Sequence, residues 1–264
     1  MSILDYGVAR DGSLFLVMDL LEGLDARQMI ELGGPMPASR VVFLMIQVCR
    51  SLAEAHGLGL VHRDLKPGNI FISKAADEVD IVKVLDFGLV HDARTTGAAN
   101  NAPAAARDRA VGTPGYMAPE QLLGGDVTPA TDVYALGCVM VFLLTGKRLH
   151  EGSDTASVLA AHILEPIPAF ETGLALPAPL VALVRRCLDT EPEKRPRDGQ
   201  ALLQALEALE ATQGLYWTRE QARSTWESIT AYLERQSVAR QSTPPRLLSV
   251  VDQITQTGEP TDQG

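Results

Sequence analysis

The alternation of apolar and polar residues at the start of the chain predicts a β-hairpin. Two apolar runs, Ile3–Val8 and Leu14–Met18, flank the sequence Arg-Asp-Gly-Ser at 10–13. Asp-Gly between two such runs is a strong signal for a tight turn. Gly23 then interrupts the pattern, and a short helix is predicted from about residue 25 to 32.

A period of three to four residues predicts the helices in the rest of the chain. Ser39 is a suitable N-cap for a helix that runs to about His56 and buries one face. Residues 130–144 are apolar nearly all round, which predicts a central buried helix. Further helices are predicted over about 156–164, 177–188, 199–212 and 218–235.

The region between the long helix and the central helix is strand and loop in character. Short apolar runs at 60–61, 70–72 and 81–85 predict β-type segments separated by polar loops. Residues 92–111 are rich in Ala, Arg, Thr and Asn and have little to bury, so a poorly ordered loop is predicted.

Composition and charge mainly exclude classes of function. A net charge of −10 argues against non-specific binding to nucleic acid or to an anionic membrane, since phosphate attraction needs a basic surface. The longest apolar run, 135–144, is too short for a membrane segment, which takes about 20 residues. Cys49, Cys138 and Cys187 are odd in number and widely spaced, which favours reduced thiols and a cytoplasmic location.

Three short motifs in a fixed order carry the candidate chemistry. The first reads His-Arg-Asp-Leu-Lys-Pro-Gly-Asn over 62–69, and the second reads Asp-Phe-Gly over 86–88. The third reads Gly-Thr-Pro-Gly-Tyr-Met-Ala-Pro-Glu over 112–120. A tripeptide alone occurs by chance, but the three motifs together and in this order are highly specific. From about residue 3 to about residue 211, the chain resembles the eukaryotic-type Ser/Thr protein kinases, including their bacterial members.

The resemblance implies an α+β, protein-kinase-like fold with a mainly α-helical large lobe and only a remnant β-hairpin of the small lobe. It implies a small-lobe remnant and hinge over 1–24 and a large catalytic lobe over 25–212. A C-terminal amphipathic helical extension over 213–240 and a disordered tail over 241–264 would complete the chain.

The resemblance also implies the transfer of a phosphoryl group from ATP with the help of Mg²⁺. Asp64 would orient the substrate hydroxyl and accept its proton, and Lys66 would stabilise charge on the transferred group. Asn69 and Asp86 would offer oxygens to Mg²⁺, a hard cation. Asp-Leu-Lys-Pro-x-Asn is typical of Ser/Thr kinases, so the implied partner is a protein substrate with a Ser or Thr acceptor.

Other matching positions would bind the nucleotide or shape the site. Backbone groups of Asp19 and Leu21 would contact the adenine edge, Asp25 the ribose, and Phe71 the underside of the base. Lys66, Asn69 and Asp86 would complete the nucleotide contacts. The resemblance gives structural or regulatory roles to His62, Arg63, Phe87, Gly88, Thr113, Glu120, Asp132 and Arg195. Among these, Glu120 and Arg195 would form a buried ion pair, and Asp132 would accept N–H groups of the catalytic loop.

Arg63 directly precedes Asp64, an arrangement in which phosphorylation of the activation loop often matters. A phosphate near this arginine would accept charge-assisted hydrogen bonds and order the loop. Thr95, Thr96 and Thr113 are the available acceptors, for an activating kinase or for autophosphorylation. Thr95 and Thr96 are also compatible with ordinary loop residues, and Thr113 with a structural hydroxyl that bonds Asp64 and Lys66.

The expected phosphate-binding parts of the small lobe are missing from the sequence. Nothing before Asp64 matches G-x-G-x-x-G, and residues 1–63 contain no lysine, Lys66 being the first. The intact catalytic set favours the truncated record of an active kinase. A pseudokinase-like binding module and a non-functional gene remnant are the alternatives. We expect weak or no kinase activity from the chain as written, because nucleotide positioning is incomplete.

Overall fold

The computed structural model describes residues 3–8, 14–18, 20–75, 78–86, 112–170 and 175–241. The chain divides into two compact units, Met1–Trp226 and Glu227–Gly264. In the second unit, the structure describes the helical residues 227–241. The predicted loop over 92–111 and the predicted tail over 242–264 lie outside the described residues.

The described strands and helices follow the order expected for a large lobe preceded by a hairpin. The strands are β1 (Ile3–Val8), β2 (Leu14–Met18), β3 (Gly23–Asp25), β4 (Ile70–Ala75) and β5 (Glu78–Val84). The helices are α1 (Ala26–Gly33), α2 (Ala38–Gly57), α3 (Pro119–Leu123), α4 (Pro129–Thr145), α5 (Thr155–Leu164), α6 (Ala178–Cys187), α7 (Gly199–Gln213) and α8 (Arg219–Gln241).

The predicted N-terminal hairpin is confirmed. β1 and β2 pair antiparallel, while the predicted turn at 10–13 lies outside the described residues. Tyr6 is 79% exposed and Val8 65%, and Phe15 and Val17 are each 43% exposed. Because side chains alternate along a strand, these two pairs lie on opposite faces of the hairpin. The hairpin therefore exposes apolar side chains on both of its faces.

A three-stranded antiparallel sheet in the order β3-β4-β5 begins the large lobe. Ile70 faces Val84 at one end of the β4–β5 pair. The backbone N–H of Leu85 donates to the carbonyl of Asn69 at 2.8 Å, which extends the pairing beyond the strands. At this end of the sheet lie Asn69, the last residue of the first motif, and Asp86, the first residue of the second motif.

The helical core forms around α4, whose residues are buried along almost the whole helix. α4 packs against α2, α6 and α7, while α2 and α7 pack against each other. A Cβ atom at Gly137 would lie 2.9 Å from the side chain of Leu188, so glycine allows α4 to approach the end of α6 closely. The predicted central buried helix is confirmed. Within the described ranges, no helix combines the length and the apolar character that a membrane crossing requires.

Two local predictions are wrong. Ser39 does not cap α2, because the helix begins at Ala38 and its N-cap is Pro37, whose φ of −62° suits a helix start. The run at 60–61 is not a strand. The backbone N–H groups that follow it, those of His62 and Arg63, are bonded to the side chain of Asp132, so the loop has no need of a strand partner.

Candidate active site

The catalytic loop between α2 and β4 is held by one buried carboxylate. Asp132, in the first turn of α4, accepts the backbone N–H of His62 at 2.8 Å and that of Arg63 at 2.9 Å. His56 Nδ1 accepts the N–H of Gly199 at 3.0 Å, so Nε2 carries the proton and donates to Asp132 at 2.9 Å. These bonds fix the loop just before Asp64, where Arg63 has the left-handed φ of 70°.

Replacing Asp132 by Ala is expected to lower the free energy of unfolding by about 3 kcal/mol. The change leaves two loop N–H groups and the imidazole of His56 without their acceptor in a buried place. Urea unfolding measures the effect, with Asp126→Ala as a matched change at an exposed aspartate. A loss of less than about 0.5 kcal/mol, the range of ordinary surface substitutions, would contradict the role of Asp132.

Three side chains of the motifs meet in a closed triangle. Asp64 Oδ1 accepts the hydroxyl of Thr113 at 2.8 Å, and Asp64 Oδ2 accepts Lys66 Nζ at 2.6 Å. Lys66 Nζ also donates to Thr113 Oγ1 at 3.0 Å. The side chain of Asp64 is 10% exposed and that of Lys66 is 31% exposed. The fold thus places a carboxylate, an ammonium group and a hydroxyl together at a surface that a substrate can reach.

Asn69 and Asp86 lie at the same end of the β4–β5 pair. The side-chain nitrogen of Asn69 donates to the carbonyl of Asp64 at 2.9 Å, which fixes the amide. Asp86 is exposed and has a left-handed φ of 60°. His62 Nε2 donates to the carbonyl of Leu85 at 2.9 Å and ties this end of β5 to the catalytic loop.

The oxygen donors of Asn69 and Asp86 fit the predicted magnesium ion in chemical type. Mg²⁺ prefers oxygen ligands and is usually held by one or two carboxylates, with water and substrate phosphates completing its shell. The described residues contain no cluster of three or more His, Cys, Asp or Glu side chains of the kind that holds a metal by protein ligands alone. One carboxylate and one amide oxygen are therefore compatible with a site that is completed by a nucleotide.

The third motif is fastened to the helical core by a buried ion pair. Arg195 donates from Nη1 and Nη2 to the two carboxylate oxygens of Glu120, at 2.8 and 2.9 Å. The hydroxyl of Thr131 also donates to Glu120, at 2.8 Å. Burial alone would raise the pKa of Glu120, but the bonds and charge of Arg195, with a smaller contribution from Thr131, outweigh it and lower the pKa below its ordinary value.

The residues proposed to contact the nucleotide are only partly described. Asp25 and Phe71 face each other in the β3–β4 pairing. The carboxylate of Asp25 caps α1 by accepting the N–H of Gln28 at 2.8 Å, so its ribose contact stays a prediction. Leu21 is half-buried. Asp19, Phe87, Gly88, Thr95 and Thr96 lie outside the described residues.

Sequence reasoning missed two side chains that support the catalytic loop. His56 bridges Asp132 and the start of α7, and Gln121 donates from Nε2 to the carbonyl of Arg63 at 2.9 Å. The partners through which they support the loop, Asp132, Gly199 and the carbonyl of Arg63, lie 58 to 143 residues away along the chain. The nearby signal for Gln121 is its place directly after the third motif, where its Oε1 atom accepts the N–H of Ala118 at 3.0 Å.

The three motifs, carried by a mainly helical lobe that brings Asp64, Lys66 and Thr113 together, are those of a protein kinase. Residues 3–208 match the family model described as protein kinase domain, and the chain belongs to that family. The predicted protein-kinase-like fold is therefore confirmed.

Several curated relatives that the chain resembles are named as Ser/Thr protein kinases. The chain is 35% identical over 242 residues to Serine/threonine-protein kinase pkn3 of Myxococcus xanthus, covering 90% of this chain and 44% of the relative. It is 38% identical over 226 residues to Pkn1 of the same organism, covering 85% and 31%. It is 36% identical over 182 residues to PknB of Mycobacterium tuberculosis, covering 69% and 28%. The chain spans less than half the length of these relatives.

Proposed function

We propose that this chain transfers the γ-phosphoryl group of ATP to Ser or Thr hydroxyls of proteins. The observation that carries the proposal is the triangle of Asp64, Lys66 and Thr113, held in place through Asp132. Phosphoryl transfer needs positioning and charge stabilisation more than covalent chemistry. A fixed carboxylate beside a fixed ammonium group meets both needs.

Each member of the triangle has a separate task in the proposed reaction. Asp64 accepts a hydrogen bond from the substrate hydroxyl, orients it for attack and takes up its proton. Lys66 supplies positive charge to the oxygens of the transferred group. Thr113 holds both side chains by hydrogen bonds of 2.8 and 3.0 Å and so limits their rotamers.

Asn69 and Asp86 are the proposed holders of Mg²⁺. Protein kinases use ATP and Mg²⁺ generally, and the ion neutralises phosphate charge when it is bound. The amide of Asn69 is fixed by its bond to the carbonyl of Asp64, and Leu85 bonds the carbonyl of Asn69. The hydrogen bond from Leu85 therefore connects the backbone of Asn69 to the residue that directly precedes Asp86.

Arg63 supports a proposal about regulation. Its Nε atom is buried and has no hydrogen-bond partner among the described residues. A phosphate oxygen nearby would supply an acceptor and stabilise the activation loop. We propose that an activating kinase or autophosphorylation supplies this group. Because Cys49, Cys138 and Cys187 are buried free thiols, we also propose a reducing, cytoplasmic setting.

Transfer by these 264 residues is proposed to be slow. Residues 1–63 contain neither a lysine nor a G-x-G-x-x-G sequence, so these residues lack two groups that position the phosphates in complete kinases. The presence of Asp64, Asn69 and Asp86 favours a catalytic region over a binding module, which would tolerate their loss.

The proposed function is tested by incubating the purified chain and an acceptor protein with radiolabelled ATP, in Mg²⁺ and in EDTA. We expect slow transfer that requires Mg²⁺. Asn69 and Asp86 carry no positive charge, so without the ion they do not neutralise the charge of the phosphates. Absence of transfer in Mg²⁺ at every protein concentration, together with binding of a partner protein, would support the binding-module alternative instead.

A further inference from the structure

A single buried carboxylate in β5 joins three parts of the first unit. Asp80 is 1% exposed and accepts four side-chain hydrogen bonds. Arg40 of α2 donates from Nε at 3.0 Å and from Nη2 at 2.8 Å. The indole N–H groups of Trp217 and Trp226 each donate to it at 2.8 Å. Both carboxylate oxygens are thus shared between α2 and the segment that follows α7.

Asp80 also has an unusual backbone. Its φ is 57°, in the left-handed region that non-glycine residues rarely adopt. The β4–β5 pairing is irregular here, because Ser73 faces Ile81 whereas Ala75 faces Glu78. Two residues of β5 therefore oppose one residue of β4, which is the geometry of a β-bulge. A strained residue of this kind persists only where the surrounding structure determines it strongly.

The backbone around the bulge is fixed as firmly as the carboxylate. Gln47 of α2 donates from Nε2 to the carbonyl of Asp80 at 2.9 Å. The same side chain accepts the N–H of Val82 at 3.1 Å. The bulge is therefore bonded to α2 through its backbone and through its side chain.

The position of the bulge determines which residues β5 presents at its far end. Beyond the bulge the pairing is regular as far as Ile70 and Val84, and it continues in the bond from the Leu85 N–H to the carbonyl of Asn69. Asp86 follows directly. A shift of one residue in strand register moves every side chain to the opposite face. Loss of the bulge would consequently displace Asp86 relative to Asn69.

We propose that Asp80 is a positioning residue for the proposed metal-holding pair, Asn69 and Asp86, and that the segment with Trp217 and Trp226 anchors it. This inference rests on the proposed function, since it takes that pair as the magnesium site. The match to the family model ends at residue 208, before both tryptophans. The similarity to pkn3 covers 90% of the chain and so includes both of their positions.

The first test measures protection of the Leu85 N–H, which bonds the carbonyl of Asn69 at the end of the β4–β5 pair, and it needs no nucleotide. Trp217→Phe/Trp226→Phe removes both indole donors and keeps two aromatic rings. We expect the amide hydrogen of Leu85 to exchange about tenfold faster, while amides of α4 exchange at the wild-type rate. Arg50→Gln is the matched control, because it breaks an exposed ion pair between α2 and α7 without touching Asp80. Unchanged exchange at Leu85 in the double variant would overturn the inference.

The second test measures the consequence for the metal. Binding of ADP is measured by calorimetry in Mg²⁺ and in EDTA, for the wild type, the double variant and Asp80→Asn. We expect the gain in affinity due to Mg²⁺ to fall about fivefold in both variants, with affinity in EDTA unchanged. A purely structural role would alter both affinities or neither.

The outcomes separate the two proposals. An unchanged Mg²⁺-dependent gain in folded variants would overturn the positioning role of Asp80. If Asp80→Asn fails to fold, the double tryptophan variant decides by the same criterion. If the wild type shows no Mg²⁺-dependent gain, the proposed magnesium site fails, and the exchange of the Leu85 amide still decides whether Asp80 sets the register.

Discussion

Replacing Asp64 by Asn is expected to lower the rate of phosphoryl transfer by about 100-fold to 10,000-fold, the range of a general base. Asparagine has nearly the same shape and keeps one oxygen that accepts from Thr113 or from Lys66. It loses the negative charge and the ability to take up a proton. The loss is therefore mainly chemical, although one of the two bonds that Asp64 accepts in the triangle is lost as well.

The comparison uses initial rates of label transfer from ATP at equal concentrations of folded protein. Asp126→Asn is the matched control, since it makes the same chemical change at an exposed position between α3 and α4. Unfolding by urea shows whether the folded state is retained. If Asp64→Asn transfers phosphate at the wild-type rate, Asp64 has no part in proton transfer and the proposed mechanism is wrong.

The second large effect concerns stability. Arg195→Met is expected to lower the free energy of unfolding by about 3–5 kcal/mol, because Glu120 is left as an uncompensated, largely buried charge. The guanidinium also donates to the carbonyls of Ala130, Asp189 and Thr190, at 3.1, 2.7 and 3.2 Å, and these acceptors lose their partner as well. Urea unfolding at neutral pH measures the change.

The double variant Glu120→Gln/Arg195→Met distinguishes the stability lost with the ion pair from the stability lost through altered packing. Removing both charges is expected to recover part of the loss, because no buried charge then remains unpaired. Equal stability of Arg195→Met and wild type would show that the pair does not hold the third motif.

The ion pair of Glu120 and Arg195 also predicts how the free energy of unfolding changes with pH. Because the folded pKa of Glu120 is lowered from an ordinary value of 4.5, its contribution to stability is complete above that value. The contribution is lost as the pH falls from 4.5 through the lowered pKa. Wild-type stability should therefore decrease over this acidic range, and the decrease should be smaller in Arg195→Met.

Local pattern was sufficient to predict much of the fold. The hairpin of β1 and β2 and the helices α4 to α7 follow from alternation and from the three-to-four residue period, and their observed bounds lie within two residues of those predicted. The final helix is longer than predicted and reaches Gln241. These elements are determined by neighbours in sequence, which periodicity detects.

Local pattern failed where distant residues supply the hydrogen bonds. The segment at 60–61 has the composition of a strand, but Asp132, about 70 residues later, bonds the following N–H groups. The triangle of Asp64, Lys66 and Thr113 could be anticipated only through the family resemblance, since spacing alone does not bring the third motif to the first.

The C-terminal segment shows the same limit most clearly. Periodicity predicts the helix that carries Trp226, and in the structure this residue is buried. Its indole N–H requires a polar partner when buried, but that partner, Asp80, lies 146 residues earlier in the chain. No local signal marks Asp80 as a bulge residue with four donors.

The central claim is that these motifs form a Ser/Thr phosphoryl-transfer site, and phosphoamino-acid analysis tests it most directly. An acceptor protein rich in Ser, Thr and Tyr is labelled with radioactive ATP and Mg²⁺ by the wild-type chain and by Asp64→Asn. The account predicts label on serine or threonine with the wild type and none above background with Asp64→Asn. Label on tyrosine, or equal label with both proteins, would contradict it.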